Sequence, residues 1–326
     1  MHGFRAPWWL PGGHAQTIWP AKLAHHAPAS VAQPLRWRRE RWATPDGDFV
    51  DVDHLDATTP AGAPLLVLFH GLEGSSQSHY AQAFGHWARQ QGWRMAVPHF
   101  RGCSGELNHA PRAYHSGDYE EIGWLLDRLR AAHGAPVYAV GISLGGNALL
   151  RWAQEAGDSA AATARAVAAV CAPVDLAASG RAIGRGFNRQ VYTRMFLRTM
   201  VPKALAKLDQ HPGLFPREAM LAVRDLYAFD NLFTAPLHGF RNTEDYWARA
   251  SAKPQLARIR IPALVLNARN DPFVPADSLP QAQAVGRCVT LWQPAHGGHV
   301  GFPGGRFPGH VHPLPDGVMR WLLAQG

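Results

Sequence analysis

Cysteine, lysine and charge are all scarce in this chain, and no apolar run is long. There are three cysteines, Cys103, Cys171 and Cys288, with no CxxC pair. That excludes a disulfide framework and a cysteine zinc site, and makes a reducing cytoplasm the expected setting. Charged residues make up only 17% of the chain against 47% hydrophobic, which excludes a disordered solvating polypeptide. The longest uncharged apolar runs, around Leu65–Phe69 and Ala166–Val174, fall far short of a bilayer span, so no transmembrane helix is expected. The start, MHGFRAPWWLPGGHAQ, has no continuous apolar stretch and is broken by Pro11, Gly12 and Gly13, unlike a secretory signal. HExxH and a P-loop are missing as well. Neither a metal nor a cofactor is expected, although the chain has 18 histidines, His25, His26, His109, His115, His310 and His312 among them.

The formal net charge is +8, and only Lys22, Lys203, Lys207 and Lys253 of the 32 basic residues are lysine. Such a balance raises nucleic-acid binding as a candidate, but no helix-turn-helix, zinc-finger or aromatic stacking motif supports it, and no nucleic-acid partner is expected. The charge is also local. Residues 176–208 hold Arg181, Arg185, Arg189, Arg194, Arg198, Lys203 and Lys207 and no acid, so nearly the whole excess sits there. A solvated helix face accounts for this; the sharper expectation is a basic surface that meets anionic substrates or lipid.

Residues 1–34, rich in Trp, His and Pro, read as an irregular arm packed on the body. From 35 to 175 the pattern alternates. LRWRRERWATPDGDFVDVDHL reads as two strands about a turn; PLLVLF, RMAVPHF, PVYAVGI and ARAVAAVCAP read as buried parallel strands. Helices are expected near Ser78–Gln91, Asp118–Ala132 and Leu144–Ala156, with Asp118 as a cap and Glu121 at capping-box distance. The segment 176–256 is helical with prolines as punctuation. The rhythm then resumes with IPALVLN, a helix near Ala276–Val285, CVTLWQP and a last helix near Pro315–Leu323. This order specifies an α/β fold, a mostly parallel twisted sheet with helices on both faces. Its core is formed by 35–175 and 257–326, with a helical cap inserted after the sixth strand.

The chemistry centres on Gly141-Ile142-Ser143-Leu144-Gly145, placed between a strand and a helix as a nucleophile elbow requires. A serine nucleophile needs a carboxylate and a histidine in the order Ser, Asp, His. Asp271 follows IPALVLN, with Asp277 as the alternative; His299 follows CVTLWQP, with His296 competing. The loop HGLEGS after LLVLF offers the amide of Leu72, and the helix start offers that of Leu144, as donors to an oxyanion. Glu73, beside that hole, is expected to face away. His115 is expected to support the site from behind, and Cys103 to be a buried small residue rather than a nucleophile.

The segments LPGGHAQTIWP, FHGLEGSSQSHYAQAF, FRGCSGE, YHSGDYEEI, GISLGGNALLRW, NARNDPFVP and HGGHVGF resemble the YheT-like branch of the α/β-hydrolases. The resemblance implies an α/β-hydrolase fold and a Ser143–Asp271–His299 triad with esterase or lipase-like activity on acyl esters. Members of that branch include phospholipase-like enzymes and yeast enzymes that pass acyl groups to ethanol. The expected partner is therefore a small acyl ester, hydrolysed through an acyl-enzyme or transferred to an alcohol. A binding module on a hydrolase scaffold is the alternative outside enzymes.

Overall fold

The computed structural model describes residues 3–26, 33–134 and 136–325; residues 1–2 and 27–32 of the expected arm lie outside them. Eight strands form the sheet: β1 Trp37–Ala43, β2 Phe49–Leu55, β3 Leu65–Phe69, β4 Arg94–Pro98, β5 Val137–Ile142, β6 Ala166–Val170, β7 Ala263–Leu266 and β8 Val289–Trp292. Their order is β1-β2-β4-β3-β5-β6-β7-β8. β1 and β2 form an antiparallel hairpin, β2 is antiparallel to β4, and the remaining neighbours are parallel.

The parallel strands are apolar along their whole length because both faces are covered, so LLVLF and AVAAV are buried at every position. On one face α3 (Tyr119–His133) and α4 (Leu144–Ala156) set Ile122, Leu125, Leu149 and Trp152 against Val67 and Phe69. On the other, α2 (His79–Gln90) and the C-terminal helix Pro313–Leu323 set Phe84, Met319 and Leu322 against Leu66 and Leu68. Burying each such side chain contributes about 1.5–3 kcal/mol, and these two layers fix where the carboxyl ends of β5, β7 and β8 open.

Between β6 and β7 the chain is helical, with Leu176–Ile183, Arg194–Gln210 and Thr243–Ala250 as its longer helices and π-helical turns at Arg189–Thr193 and Asp230–Thr234. It has a small core of its own, including Met200, Phe215, Met220, Phe229 and Phe233.

Two expectations need correction. The amino-terminal arm is not irregular: Gly12–Lys22 is a helix, α1, started after Pro11 and carrying Pro20 in its last turn. Glycines at its start and a proline inside hid its period, and tertiary contacts described below override the weak propensity. The helix expected near Ala276–Val285 is instead two short 3-10 turns, Ala276–Ser278 and Ala282–Ala284, separated by Pro280, which removes a backbone donor.

Candidate active site

Ser143 stands between β5 and α4 with φ 51° and ψ −117°, a backbone conformation that a side chain rarely adopts. Its neighbours explain how the turn closes. A Cβ on Gly141 would lie 2.4 Å from the Gly145 carbonyl oxygen, and one on Gly145 would lie 2.5 Å from His70 O and 2.6 Å from Phe69 O. Only glycine lets α4 start this close to β3. The Ser143 amide donates to Val170 O at 2.8 Å, tying the elbow to β6.

Asp271 leaves β7 and His299 leaves β8, and the structure brings both to Ser143. His299 Nδ1 lies 2.8 Å from Asp271 Oδ2, and His299 Nε2 lies 3.0 Å from Ser143 Oγ. With a carboxylate as acceptor, Nδ1 carries the proton and Nε2 is left to accept from the serine hydroxyl. The other Asp271 oxygen accepts from the amides of Phe273 at 2.7 Å and Val274 at 3.3 Å, and the residue is buried. Phe273 covers the imidazole, with ring centroids 4.2 Å apart. The competitors are elsewhere: Asp277 is exposed in a 3-10 turn, and His296 is exposed without a hydrogen-bond partner among the described residues.

The loop after β3 is held from several sides. His70 donates from Nδ1 to Gly71 O at 2.7 Å and accepts at Nε2 from the Phe100 amide at 3.1 Å; burial pushes its pKa down to about 3, so it stays neutral. The Gly71 amide donates to Tyr80 Oη at 3.0 Å. These bonds leave the amides of Leu72 and Leu144 without an acceptor among the described residues, and both residues line the same cavity as Ser143 and His299. Glu73, at φ 57°, turns its carboxylate to Tyr114 Oη at 2.9 Å and Lys203 Nζ at 2.8 Å. It thus faces a cation of the cap, which neutralises it beside the hole.

That cavity, about 150 Å³, lies under the helical insertion. Ile183, Phe196, Met200, Leu226, Phe229 and Phe233 give it an apolar wall; the cap also contributes Lys203, Lys207 and Asp230, with the hydroxyl-bearing Ser179 and Thr234. Lys207 is buried, donates to Asn108 O and to Ala110 O at 2.7 Å, and has its pKa lowered to about 8 by burial. Asp230 accepts from Trp247 Nε1 at 2.9 Å, and burial pushes its pKa up to about 6.

Other expectations fare differently. Asp118 makes no side-chain cap on α3; it pairs with Arg112, while Glu121 pairs with buried Arg101 at 2.6 Å, because these guanidinium groups compete for the carboxylates. His115 lines the cavity but contacts His238, Phe240 and Tyr246 rather than the serine, aspartate or histidine above. Burial raises the Cys103 thiol to about 12, leaving it protonated. Cys171, Asp271 and His299 have atoms within 4.8 Å of one another, the one such group among the described residues with spacing for a metal ion. Burial pushes the Cys171 thiol well up, and His299 Nδ1 is already bonded to Asp271, so the cluster reads as a hydrogen-bonded chain.

The α/β-hydrolase fold family matches residues 64–305. The chain belongs to the α/β-hydrolases, in their YheT-like branch. This α/β-hydrolase is 40% identical over 299 residues to the Escherichia coli (strain K12) protein named "Putative esterase YheT", covering 88% of the one chain and 86% of the other. It is 29% identical over 287 residues to Phospholipase ABHD3 of Mus musculus, covering 84% and 68%. To the Monoacylglycerol lipase of Saccharomyces cerevisiae it is 30% identical over 275 residues, covering 81% and 59%. In structure it is similar to a thermophilic esterase from Thermogutta terrifontis, with TM-score 0.52, 18% identity, and 88% and 99% of the two chains covered. The chain is accordingly an esterase- and lipase-like α/β-hydrolase. Among the described residues no helix is long and apolar enough to cross a membrane.

Proposed function

We propose that this hydrolase is a serine carboxylesterase that cleaves acyl esters through an acyl-enzyme on Ser143. The observation that carries this reading is the continuous hydrogen-bonded path from Asp271 through His299 to Ser143 at the floor of an apolar cavity. His299 takes the hydroxyl proton as Ser143 Oγ attacks the ester carbonyl carbon, and Asp271 stabilises the resulting imidazolium. The negative oxygen is met by the amides of Leu72 and Leu144, assisted by the positive end of α4. Collapse expels the alcohol, which receives the proton from His299; water then attacks the acyl-enzyme as His299 takes its proton, and collapse releases the acid while His299 returns that proton to Ser143 Oγ. The apolar wall suits the acyl chain, and the free Cys103, Cys171 and Cys288 of the chain accord with a reducing cytoplasm.

Charge on the cap extends the reading to a surface. In the continuous helical stretch 186–210, Phe187, Val191 and Met195 are 52%, 36% and 47% exposed, and Arg185, Arg189, Arg194 and Arg198 around them form no ion pair among the described residues. The opposite side of that stretch supplies Phe196, Met200 and Lys203 to the cavity. An outer face with apolar side chains among unpaired cations is complementary to an anionic lipid surface, and this is the partner proposed for it.

A panel of p-nitrophenyl esters of graded chain length tests the reaction, with Ser143→Ala as control. Turnover should fall by several orders of magnitude in the variant while the fold persists. Near-wild-type hydrolysis by Ser143→Ala refutes the assignment. Product analysis with a competing alcohol separates hydrolysis from acyl transfer.

A further inference from the structure

The loop that carries His299 is strained and not self-supporting. Val300 and Phe302 have positive φ, at 60° and 41°, and such backbone in residues with side chains persists only where its surroundings over-determine it. Three consecutive amides of that loop end on three side chains. Gly297 N donates to Gln16 Oε1 at 2.9 Å, Gly298 N to Asn270 Oδ1 at 3.0 Å, and His299 N to Thr17 Oγ1 at 2.8 Å. Two of these acceptors belong to α1, and the third is the neighbour of Asp271.

The same helix ties the two loops to each other. Gln16 Oε1 also accepts from Asn270 Nδ2 at 2.9 Å, so one amide oxygen bridges the loop of the acid and the loop of the base. Gln16 is itself oriented by donating from Nε2 to Leu10 O at 2.9 Å, and Thr17 by donating to Gly13 O at 2.7 Å. Both side chains are buried. Backbone contact is equally close. A Cβ on Gly301 would lie 1.7 Å from Gln16 O, one on Gly298 2.7 Å from Gln16 C, and one on Gly13 1.9 Å from Asn270 O.

We propose that α1 is a working part of the active site, with Gln16 and Thr17 as positioning residues that hold His299 in register with Asp271 and Ser143. The inference rests on the serine-hydrolase reading above. Neither side chain touches reacting atoms; each fixes the backbone from which the imidazole projects. A displacement of about 1 Å at such a base costs roughly a hundredfold in rate, so losing one of two braces should cost about tenfold or more.

The test is the rate at which a fluorophosphonate labels Ser143, a step that needs His299 as base, in wild type, Thr17→Val, Thr17→Ser and Gln16→Met. Denaturation midpoints are measured alongside, and ester hydrolysis is normalised to the labelled fraction. Thr17→Val keeps the shape but removes the acceptor, Gln16→Met keeps the length but removes both polar groups, and Thr17→Ser keeps the accepting oxygen. Labelling and kcat per labelled site should fall about tenfold or more in Thr17→Val and Gln16→Met and recover in Thr17→Ser, with KM for a short ester little changed. A purely structural role lowers the labelled fraction and leaves kcat per site intact; that outcome overturns the proposal. Should Thr17→Val not fold, Gln16→Met decides on the same criterion. A wild-type chain that is not labelled at all removes the serine-hydrolase reading, and this inference with it.

Discussion

Replacing Asp230 by asparagine should stabilise the protein, and only above a definable pH. Asp230 is half-buried in the wall of the cavity, and desolvation there raises its pKa from 3.8 to about 6. A carboxyl with a raised pKa favours folding while it is neutral. That contribution is fully present below the unfolded value near 3.8 and is lost as pH rises to about 6. Above that, the folded chain holds a carboxylate at a cost of about 3 kcal/mol, from roughly 2 pKa units at 1.4 kcal/mol each. Asparagine cannot ionise, and its carbonyl oxygen still accepts from Trp247 Nε1, the partner of Asp230 at 2.9 Å. Urea unfolding of both proteins at about pH 4 and about pH 8 reads the difference directly. Asp230→Asn should gain up to about 3 kcal/mol relative to wild type between the two conditions. An equal difference at both pH values, or a wild type more stable at the higher one, refutes the reasoning.

Three further outcomes follow from the same structure. His299→Ala should abolish ester hydrolysis while His296→Ala leaves it near wild type, since only the first lies 3.0 Å from Ser143 Oγ; equal losses in the pH-matched assay count against the assigned base. Gly145→Ala should destabilise by about 1–3 kcal/mol and lower activity, because its Cβ would meet two backbone carbonyls within 2.6 Å; calorimetry and the ester assay check both. Replacing Phe187 and Met195 by serine, and separately Arg189 and Arg194 by glutamine, should weaken sedimentation with phosphatidylglycerol-containing vesicles. Hydrolysis of a short soluble ester should be unaffected, and unchanged sedimentation excludes the lipid face.

What could be read from the sequence depended on whether a residue announces its chemistry. Ser143 did, because a serine between glycines at a strand-to-helix junction has few other uses. The strands did, because burial on both faces leaves uninterrupted runs such as LLVLF. α1 did not: its glycines and Pro20 argue against a helix, and its stability comes from contacts with loops near residues 270 and 300 that no local pattern encodes. Gln16 and Thr17 were missed for the same reason, since an amide and a hydroxyl acquire a role only from what they face. Asp118 shows the converse failure. Its spacing to Glu121 fits a capping box, but Arg112 and Arg101, distant in the chain or outside the motif, took both carboxylates.

The bracing of His299 by α1 also sets an order of assembly. The Thr17–His299 bond spans 282 residues of chain and the Gln16–Gly297 bond spans 281. During synthesis the first helix therefore emerges long before its partners exist, with weak intrinsic propensity to hold it. The sheet can grow and the elbow at Ser143 can close while that helix waits unpaired. Contacts of such long range are late and slow to form. Catalytic competence should thus lag behind the appearance of folded secondary structure on refolding. A segment made well ahead of its partners becomes the last piece to lock the base in place.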